Sequence, residues 1–265
     1  MSDKISSLSN PKVKQVVRLR QRRARDEAGL TIIEGAKELA TAAQAAPEIH
    51  RVFYCPELLN PQEHAIMEHP AFISAERHET TRDVYHKMAY GDRDSGILAV
   101  CATPRFELSR MRPAARALLL VLEGVEKPGN LGAVVRTADG AGVGGVLVCG
   151  VKTDIFNPNV IRASLGTVFS LPVVSCSNEE ALDFLRAHNF TVTATLPDAR
   201  HLYFKADLNR RCAIVLGSEE KGLTSFWVEA ADEKVKLPMK GRADSLNVSV
   251  TAAVMCYEAL RQRQK

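Results

Sequence analysis

The feature that most constrains the fold of this chain is a continuous apolar run, ALLLVL, at residues 117–122. A strand that is apolar on both sides has to be covered on both faces, which is typical of a parallel sheet between layers of helices. Short apolar runs alternate with helix-forming segments through the rest of the carboxyl-terminal half, and this alternation predicts an α/β domain. Because a run of six residues is far shorter than the roughly 18 that a membrane span needs, no membrane association is expected.

The amino-terminal half predicts a second, smaller α/β domain. Asn10 is a typical cap for a helix that is expected to end at Gly29. Four short strands are predicted after it, with helical segments between them, at residues 30–34, 51–55, 72–74 and 97–101. The stretch 103–113 contains two prolines and four charged residues, which is typical of a linker. We therefore predict one domain over residues 1–105 and another over residues 106–265.

One segment near the amino terminus is strongly basic, although the whole chain carries a net charge of only +4. Seven cations lie within fourteen residues that contain no acidic residue. They are Lys12, Lys14, Arg18, Arg20, Arg22, Arg23 and Arg25. A solvated helix face is the common explanation of a charge run, but seven unbalanced cations equally indicate contact with a polyanion such as RNA or DNA.

Several enzyme classes find no support in the sequence. It contains no GxxxxGK[ST] loop of a P-loop nucleotidase and no HExxH zinc motif, and no histidine lies near the loops that would complete a Ser-His-Asp hydrolase. The glycines of residues 140–145 follow a helix and precede a strand, which is the reverse of a dinucleotide-binding fingerprint. The six cysteines are isolated and the first ten residues are polar. We therefore expect a cytoplasmic protein in a reducing compartment, without a secretory signal.

Three loops that follow predicted strands contain the residues with the most chemical interest. A parallel sheet binds ligands at the carboxyl ends of its strands, so these loops are the expected site. Residues 123–137 read EGVEKPGNLGAVVRT, residues 215–222 read VLGSEEKG, and residues 236–252 read KLPMKGRADSLNVSVTA. Taken singly, the Ser and Asn residues of these loops could be no more than helix caps.

In order and spacing, the three loops resemble the signature motifs of the SpoU-type 2′-O-ribose RNA methyltransferases of the SPOUT superfamily. The motif N-x-G-x-x-x-R-T-A is met at residues 130–138, and L-G-x-E-x-x-G-L is met at residues 216–223. The motif L-P-M-x-G-x-x-x-S-L-N-V-S-V-A-x-A is met at residues 237–253, with Thr251 where the family often has alanine. Residues 154–173 also look like the family. More weakly, NPKVK and IIEGAKELA resemble a substrate-binding domain of many members, which is similar to small α/β ribosomal RNA-binding proteins.

The resemblance implies a fold and a methyl donor. Family members have a parallel α/β sheet, the SPOUT domain, whose carboxyl-terminal end is tied in a deep trefoil knot; general rules of chain connection would not suggest a knot. Their methyl donor is S-adenosylmethionine, held among the knot loops. Matched to this sequence, the donor would be contacted through backbone groups and apolar side chains by Thr195, Leu196, Gly217, Leu237, Met239 and Leu246.

The resemblance also implies the chemistry, which is attack of a ribose 2′-hydroxyl on the sulfonium methyl without a metal ion. Arg136 matches the family's catalytic arginine. Because a guanidinium does not give up its proton, we expect Arg136 to grip an RNA phosphate and orient the hydroxyl rather than act as the base. Asn130, Glu219, Ser245 and Asn247 would position the arginine, the ribose and the loops. In the family the arginine works beside the donor of the partner subunit, which implies a homodimer.

The expected substrate is RNA, bound by the front domain with its basic run. The extra front domain favours ribosomal RNA, whereas a short knotted enzyme with basic extensions would indicate transfer RNA. The alternative function is a non-catalytic RNA-binding protein on the same fold, which would have lost the donor site or the arginine. Every motif residue that can be matched is present, and this favours the enzyme.

Overall fold

The computed structural model describes residues 4–45, 47–90, 95–150, 153–218 and 220–264. The chain divides into two compact units. The first contains Met1–Arg105 together with Phe156–Ser170, and the second contains Phe106–Ile155 and Leu171–Lys265. The segment Phe156–Ser170 therefore packs with the first unit, whereas the sequence analysis placed it in the second domain. The functions assigned to the two domains stay predictions.

The described residues form eleven α-helices and eleven β-strands. The helices are α1 (Pro11–Arg18), α2 (Arg22–Ala28), α3 (Ala36–Gln44), α4 (Pro61–Met67), α5 (Pro70–Ile73), α6 (Arg82–Met88), α7 (Pro128–Gly140), α8 (Pro158–Ala163), α9 (Asn178–Ala187), α10 (Ser225–Ala230) and α11 (Val248–Arg263). The strands are β1 (Leu30–Glu34), β2 (Ile49–Tyr54), β3 (Glu76–Glu79), β4 (Ile97–Ala102), β5 (Leu118–Glu123), β6 (Val146–Cys149), β7 (Val173–Ser175), β8 (Thr191–Thr195), β9 (His201–Leu202), β10 (Cys212–Gly217) and β11 (Glu233–Lys236). Sequence-encoded caps define several starts, because Asn10, Asn60 and Ser177 accept hydrogen bonds from the first turns of α1, α4 and α9.

The first unit is built on a mixed sheet with strand order β1-β4-β2-β3. Strand β4 runs antiparallel to β1 and β2, while β2 and β3 are parallel. Apolar side chains of α1 and α6, among them Val13, Val16 and Val84, pack with Phe53 of the sheet in one buried cluster. The second stretch of this unit lies beside β1, where the Thr31 hydroxyl donates to the carbonyl of Phe156 at 3.1 Å.

Two predictions for the first unit are wrong. The predicted helix that ends at Gly29 is two helices, because the chain turns between α1 and α2 and Arg25 donates from Nη1 to the Leu19 carbonyl at 2.6 Å across the turn. The predicted strand at residues 72–74 is the end of α5, since Pro70 starts a helical turn that His69 caps. The third strand is β3 instead, and its polar sequence, ERHE, hides it from a search for apolar runs.

The second unit contains a seven-stranded sheet in the order β7-β6-β5-β10-β8-β11-β9, and all of its neighbouring strands are parallel. Residues 118–122 of β5 are buried, as their continuous apolar sequence predicts, and the last residue of the strand, Glu123, is buried as well. The two-residue strand β9 at the edge is too short to be recognised in the sequence. The α/β class and the parallel sheet are therefore confirmed.

The topology brings the three motif loops to one end of this sheet. Gly217 at the end of β10 is in register with Glu123 at the end of β5. Helix α11 packs along α7, and the side-chain amide of Asn247, which caps α11, lies 3.4 Å from Oδ1 of Asn130. The trefoil knot in the carboxyl-terminal segment stays a prediction. In the described part of the chain, the search for a helix long and apolar enough to cross a membrane finds none.

Candidate functional site

A cavity of about 490 Å³ lies at the carboxyl ends of β8, β10 and β11. This volume falls within the roughly 300–1,000 Å³ that is typical of small-molecule sites. All six residues that the family resemblance assigns to the methyl donor line it, and these are Thr195, Leu196, Gly217, Leu237, Met239 and Leu246. Ser245 lines the same cavity. The structure thus gathers residues that lie up to about 50 positions apart in the sequence around one space.

The loop after β10 forms one wall of the cavity and folds tightly on itself. The Gly222 amide donates to the Ser218 carbonyl at 2.9 Å, and Gly222 has a φ of +64°. A Cβ atom at Gly217 would lie 2.2 Å from the carbonyl carbon of Gly222. Because real Cβ atoms do not approach backbone this closely, the loop itself requires glycine at position 217, apart from any requirement of a ligand.

The opposite wall is positioned by the neighbouring strands. The Thr195 hydroxyl donates to the Val215 carbonyl at 3.0 Å, and the Leu196 amide donates to the Val235 carbonyl at 2.9 Å. Leu237 and Met239, both half-buried, present apolar surface to the cavity. Charged residues of both signs also line it, namely Asp198, Glu220, Lys221, Lys236 and Asp244.

The residues that line this cavity fit S-adenosylmethionine. Apolar side chains can cover the faces of an adenine ring, and backbone groups at the strand ends can pair with its edge. Carboxylates and ammonium groups at the rim can pair with the amino and carboxylate groups of a methionine moiety. Sequence reasoning missed the charged rim, because isolated Asp and Lys residues in loops carry no pattern that distinguishes them from ordinary surface residues.

The residues assigned to the acceptor side lie on α7 and at the start of α11. Arg136 is exposed on α7 and is not among the residues that line the donor cavity. Asn130, in the first turn of α7, faces Asn247 as described above. Asn247 also caps α11, since its Oδ1 accepts from the Ser249 amide at 2.9 Å. Glu219 lies outside the described residues.

The basic run divides into residues that are available to a ligand and residues that support the fold. Lys14 and Arg18 are exposed one turn apart on α1, and within the described part of the chain neither makes an ion pair. Arg22 and Arg23 are exposed and face Asp26 and Glu27 one turn later on α2 at 3.4 and 2.7 Å. These four cations form the accessible part of the predicted RNA-binding surface.

The other three cations of the run have structural partners. Lys12 pairs with Glu76 and lies 3.0 Å from Nε2 of His78. Its hydrogen bond is the largest cause that lowers the pKa of Glu76 from 4.5 to about 2. Arg20 is half-buried and donates to the carbonyls of Lys87, in the last turn of α6, and Ala89, which follows the helix. Arg25 is only 3% exposed. The predicted RNA contact of Arg25 is therefore wrong, because the turn between α1 and α2 directs this side chain inward.

Within the described ranges, no three or more His, Cys, Asp or Glu residues are grouped so that they could hold a metal ion.

The sequence profile of the SpoU rRNA Methylase family matches residues 117–257, which is more than half of the chain. The chain belongs to the SpoU rRNA methylase family. A second profile, the MRM3-like substrate binding domain, matches residues 10–99.

The similarity to known proteins extends over nearly the whole chain. A solved RNA 2′-O ribose methyltransferase is 42% identical, with a TM-score of 0.89 over 99% of this chain and 100% of that one. An AdoMet-bound rRNA methyltransferase from Sinorhizobium meliloti is 28% identical, with a TM-score of 0.88 over 98% of each chain. The 23S rRNA (guanosine(2553)-2′-O)-methyltransferase RlmP of Bacillus subtilis (strain 168) is 29% identical over 255 residues, which are 96% of this chain and 97% of the relative.

The predicted family, fold class and methyl donor are confirmed by these comparisons, the donor by the S. meliloti relative of this SpoU methylase. The roles of individual site residues and the homodimer stay predictions.

Proposed function

We propose that this SpoU methylase transfers a methyl group from S-adenosylmethionine to a ribose 2′-hydroxyl of ribosomal RNA. The observation that carries the proposal is that the six residues assigned to the methyl donor line one cavity at the end of the parallel sheet. The name of the B. subtilis relative supports ribosomal RNA as the substrate class. Ribosomal RNA as the substrate also implies a cytoplasmic location.

When bound, S-adenosylmethionine supplies a methyl group that its positive sulfur makes electrophilic. Leu237, Met239 and Leu246 would cover the adenine ring, and the backbone around Gly217 would approach the donor closely. Ser245 lies at the same cavity, with its hydroxyl 3.2 Å from Oδ1 of Asp244, and would border the space between donor and acceptor.

On the acceptor side, Arg136 would bind the RNA phosphate and orient the attacking hydroxyl. Its guanidinium is planar and can form two parallel hydrogen bonds, which suits a phosphate. The pair formed by Asn130 and Asn247 would fix the relative position of α7, which carries Arg136, and the start of α11, which borders the donor cavity. Glu219 would organise the loop of residues 217–224, the donor loop, near the ribose.

The front unit would hold the RNA substrate through the exposed cations Lys14, Arg18, Arg22 and Arg23. Binding of phosphates by lysine and arginine releases counterions and makes affinity fall with salt, by a log–log slope of about 0.7–0.9 for each neutralised phosphate. The match of this region to a substrate-binding domain supports the assignment.

A homodimer would complete the active site. Val250 and Tyr257, both on α11, are 46% and 53% exposed. Val250 and Tyr257 lie two turns apart and therefore on the same face of α11. Large apolar side chains exposed along one helix are typical of a surface that is covered by a partner. Such a dimer would place Arg136 of one subunit near the donor cavity of the other.

Subunit mixing tests the shared site. Arg136→Ala and Gly217→Leu should each be inactive, the first on the acceptor side and the second in the donor loop. A heterodimer of the two would have one site broken twice and one site intact, so methylation of ribosomal RNA should reappear on mixing. No recovery, with subunit exchange confirmed by native mass spectrometry, would refute the shared site.

A further inference from the structure

The carboxylate of Glu123, the last residue of β5, has no role in the chemistry described above, although it lies at the centre of the sheet end. It is only 4% exposed. Its Oε1 accepts from the Asn178 amide and from the Thr224 hydroxyl, both at 2.7 Å, and its Oε2 accepts from the Thr224 backbone amide at 2.7 Å. Three donors replace the hydrogen bonds to water that a buried carboxylate loses.

The contact with Glu123 takes the place of a local hydrogen bond of Thr224. It occupies the cap position of α10, where a threonine hydroxyl normally accepts from the first turn of the helix. Here the side chain makes no capping bond, and the hydroxyl donates to Glu123 instead. The residue is therefore fastened to β5 rather than to its own helix.

Glu123 lies beside one end of the donor loop through its backbone and binds the other end through its side chain. The loop begins at Gly217, which is in register with Glu123 on the neighbouring strand. It ends at Thr224, which the Glu123 side chain binds twice. Between these ends, Ser218, Gly222 and other loop residues line the donor cavity.

A second connection reinforces the same anchor. Asn178 donates to Glu123 from its amide nitrogen, and its Oδ1 accepts from the indole Nε1 of Trp227 at 2.9 Å. Trp227 lies on α10 and is fully buried. The start of α10 is thus held to β5 directly through Thr224 and indirectly through Asn178, which leaves the loop little freedom to shift away from the cavity.

We propose that Glu123 is a positioning residue that holds the donor loop in the shape that binds S-adenosylmethionine. This inference rests on the proposed function. Glu123 does not line the donor cavity, so its effect on the donor passes through Thr224 and the loop. A change at Glu123 should therefore weaken donor binding more than it slows transfer at saturating donor.

Glu123→Gln keeps the shape of the side chain but replaces one carboxylate oxygen with an NH₂ group. This group would face the hydrogen-bond donors of Thr224 and Asn178, so at least one N–H or O–H group would lose its acceptor. We expect the affinity for S-adenosylmethionine, measured by calorimetry on the full chain, to fall about 10- to 100-fold. This is the size of the effect when a buried hydrogen-bonding group is left without a partner. The KM for the donor should rise by a similar factor, while kcat changes less than about threefold. Thr224→Val should give a smaller loss of affinity, and Thr224→Ser, which keeps the hydroxyl, should restore it.

Glu63 provides a matched control in the first unit. It is 1% exposed and accepts from the Asn60 amide, the Gly96 amide and the Ser95 hydroxyl at 3.1, 3.1 and 2.7 Å. Glu63→Gln therefore makes the same change in a buried carboxylate far from the donor loop in the sequence. Both variants should lower the melting temperature, and Glu63→Gln should leave the affinity for S-adenosylmethionine unchanged.

The outcomes separate this inference from the proposed function. If the wild type binds S-adenosylmethionine and Glu123→Gln binds it equally well, the inference alone is overturned. The same holds if Glu63→Gln loses as much affinity for S-adenosylmethionine as Glu123→Gln. If Glu123→Gln does not fold, Thr224→Val decides, and wild-type affinity in that variant would overturn the inference. No donor binding by the wild type would overturn the proposed function and the inference with it.

Discussion

Gly217→Ala should weaken binding of S-adenosylmethionine although it adds only one methyl group. The new Cβ would lie 2.2, 2.4 and 2.5 Å from the Gly222 carbonyl carbon, the Gly222 oxygen and the Leu223 nitrogen. These are backbone atoms, so the loop has to move by more than 1 Å to reach an ordinary contact of at least 3.4 Å. Overpacking of this kind costs about 1–3 kcal/mol, and a cost of that size borne by the closed loop weakens donor binding about 5- to 150-fold.

Gly241→Ala is the matched control for this prediction. Gly241 lies in the loop that carries Leu237, Met239 and Leu246, and a Cβ there would meet no atom within 4 Å. Calorimetry should show a loss of donor affinity for Gly217→Ala and none for Gly241→Ala, with both proteins folded by circular dichroism. Unchanged affinity in Gly217→Ala would refute the reasoning that the shape of the loop depends on the missing side chain.

Three further predictions concern the acceptor, the RNA surface and the acid stability of the protein. Arg136→Ala should lower the methylation rate by roughly 10²–10⁴-fold with donor affinity unchanged, and Arg136→Lys should not rescue it, because an ammonium cannot form the bidentate fork; rescue by lysine in single-turnover assays would contradict the orienting role. The pair Lys14→Glu and Arg18→Glu should weaken RNA binding and reduce its salt slope in filter-binding titrations, whereas an unchanged slope would exclude these cations from the interface. Because the pKa of Glu76 is lowered from 4.5 to about 2, its ion pairs with Lys12 and Arg51 stabilise the fold above pH 4.5 and are lost as the pH falls towards 2. The side chain is 48% exposed, so these ion pairs contribute less than about 1 kcal/mol to the free energy of unfolding above pH 4.5. In urea titrations Glu76→Gln should remove this contribution and its dependence on pH, and an unaltered pH profile would contradict the pairing.

Those parts of the fold that rest on local pattern could be predicted from the sequence. The buried strand β5, the capped helix α9 and the parallel sheet follow from apolar runs and caps that act over a few residues. The break between α1 and α2 could not be predicted, because it depends on Arg25 reaching the Leu19 carbonyl inside the folded unit. To a reader of the sequence, Arg25 is one more cation in a basic run.

The same distinction applies to the site. The donor cavity could be located because four of the six residues assigned to it belong to motifs with fixed spacing. Glu123 could not be assigned a role, since its partners Asn178 and Thr224 lie 55 and 101 positions further along the chain. An acidic residue at a strand end beside a glycine is typical of a solvent-exposed loop. Only the fold shows that it is buried and binds three donors.

If this SpoU methylase methylates a ribose of ribosomal RNA as proposed, a map of 2′-O-methyl groups will show it. Ribosomal RNA from cells that lack the protein would be compared with RNA from cells that express the wild type or Arg136→Ala. We expect a ribose methylation that is present with the wild type and absent both without the protein and with Arg136→Ala. Identical ribose methylation in all three RNA samples would contradict it.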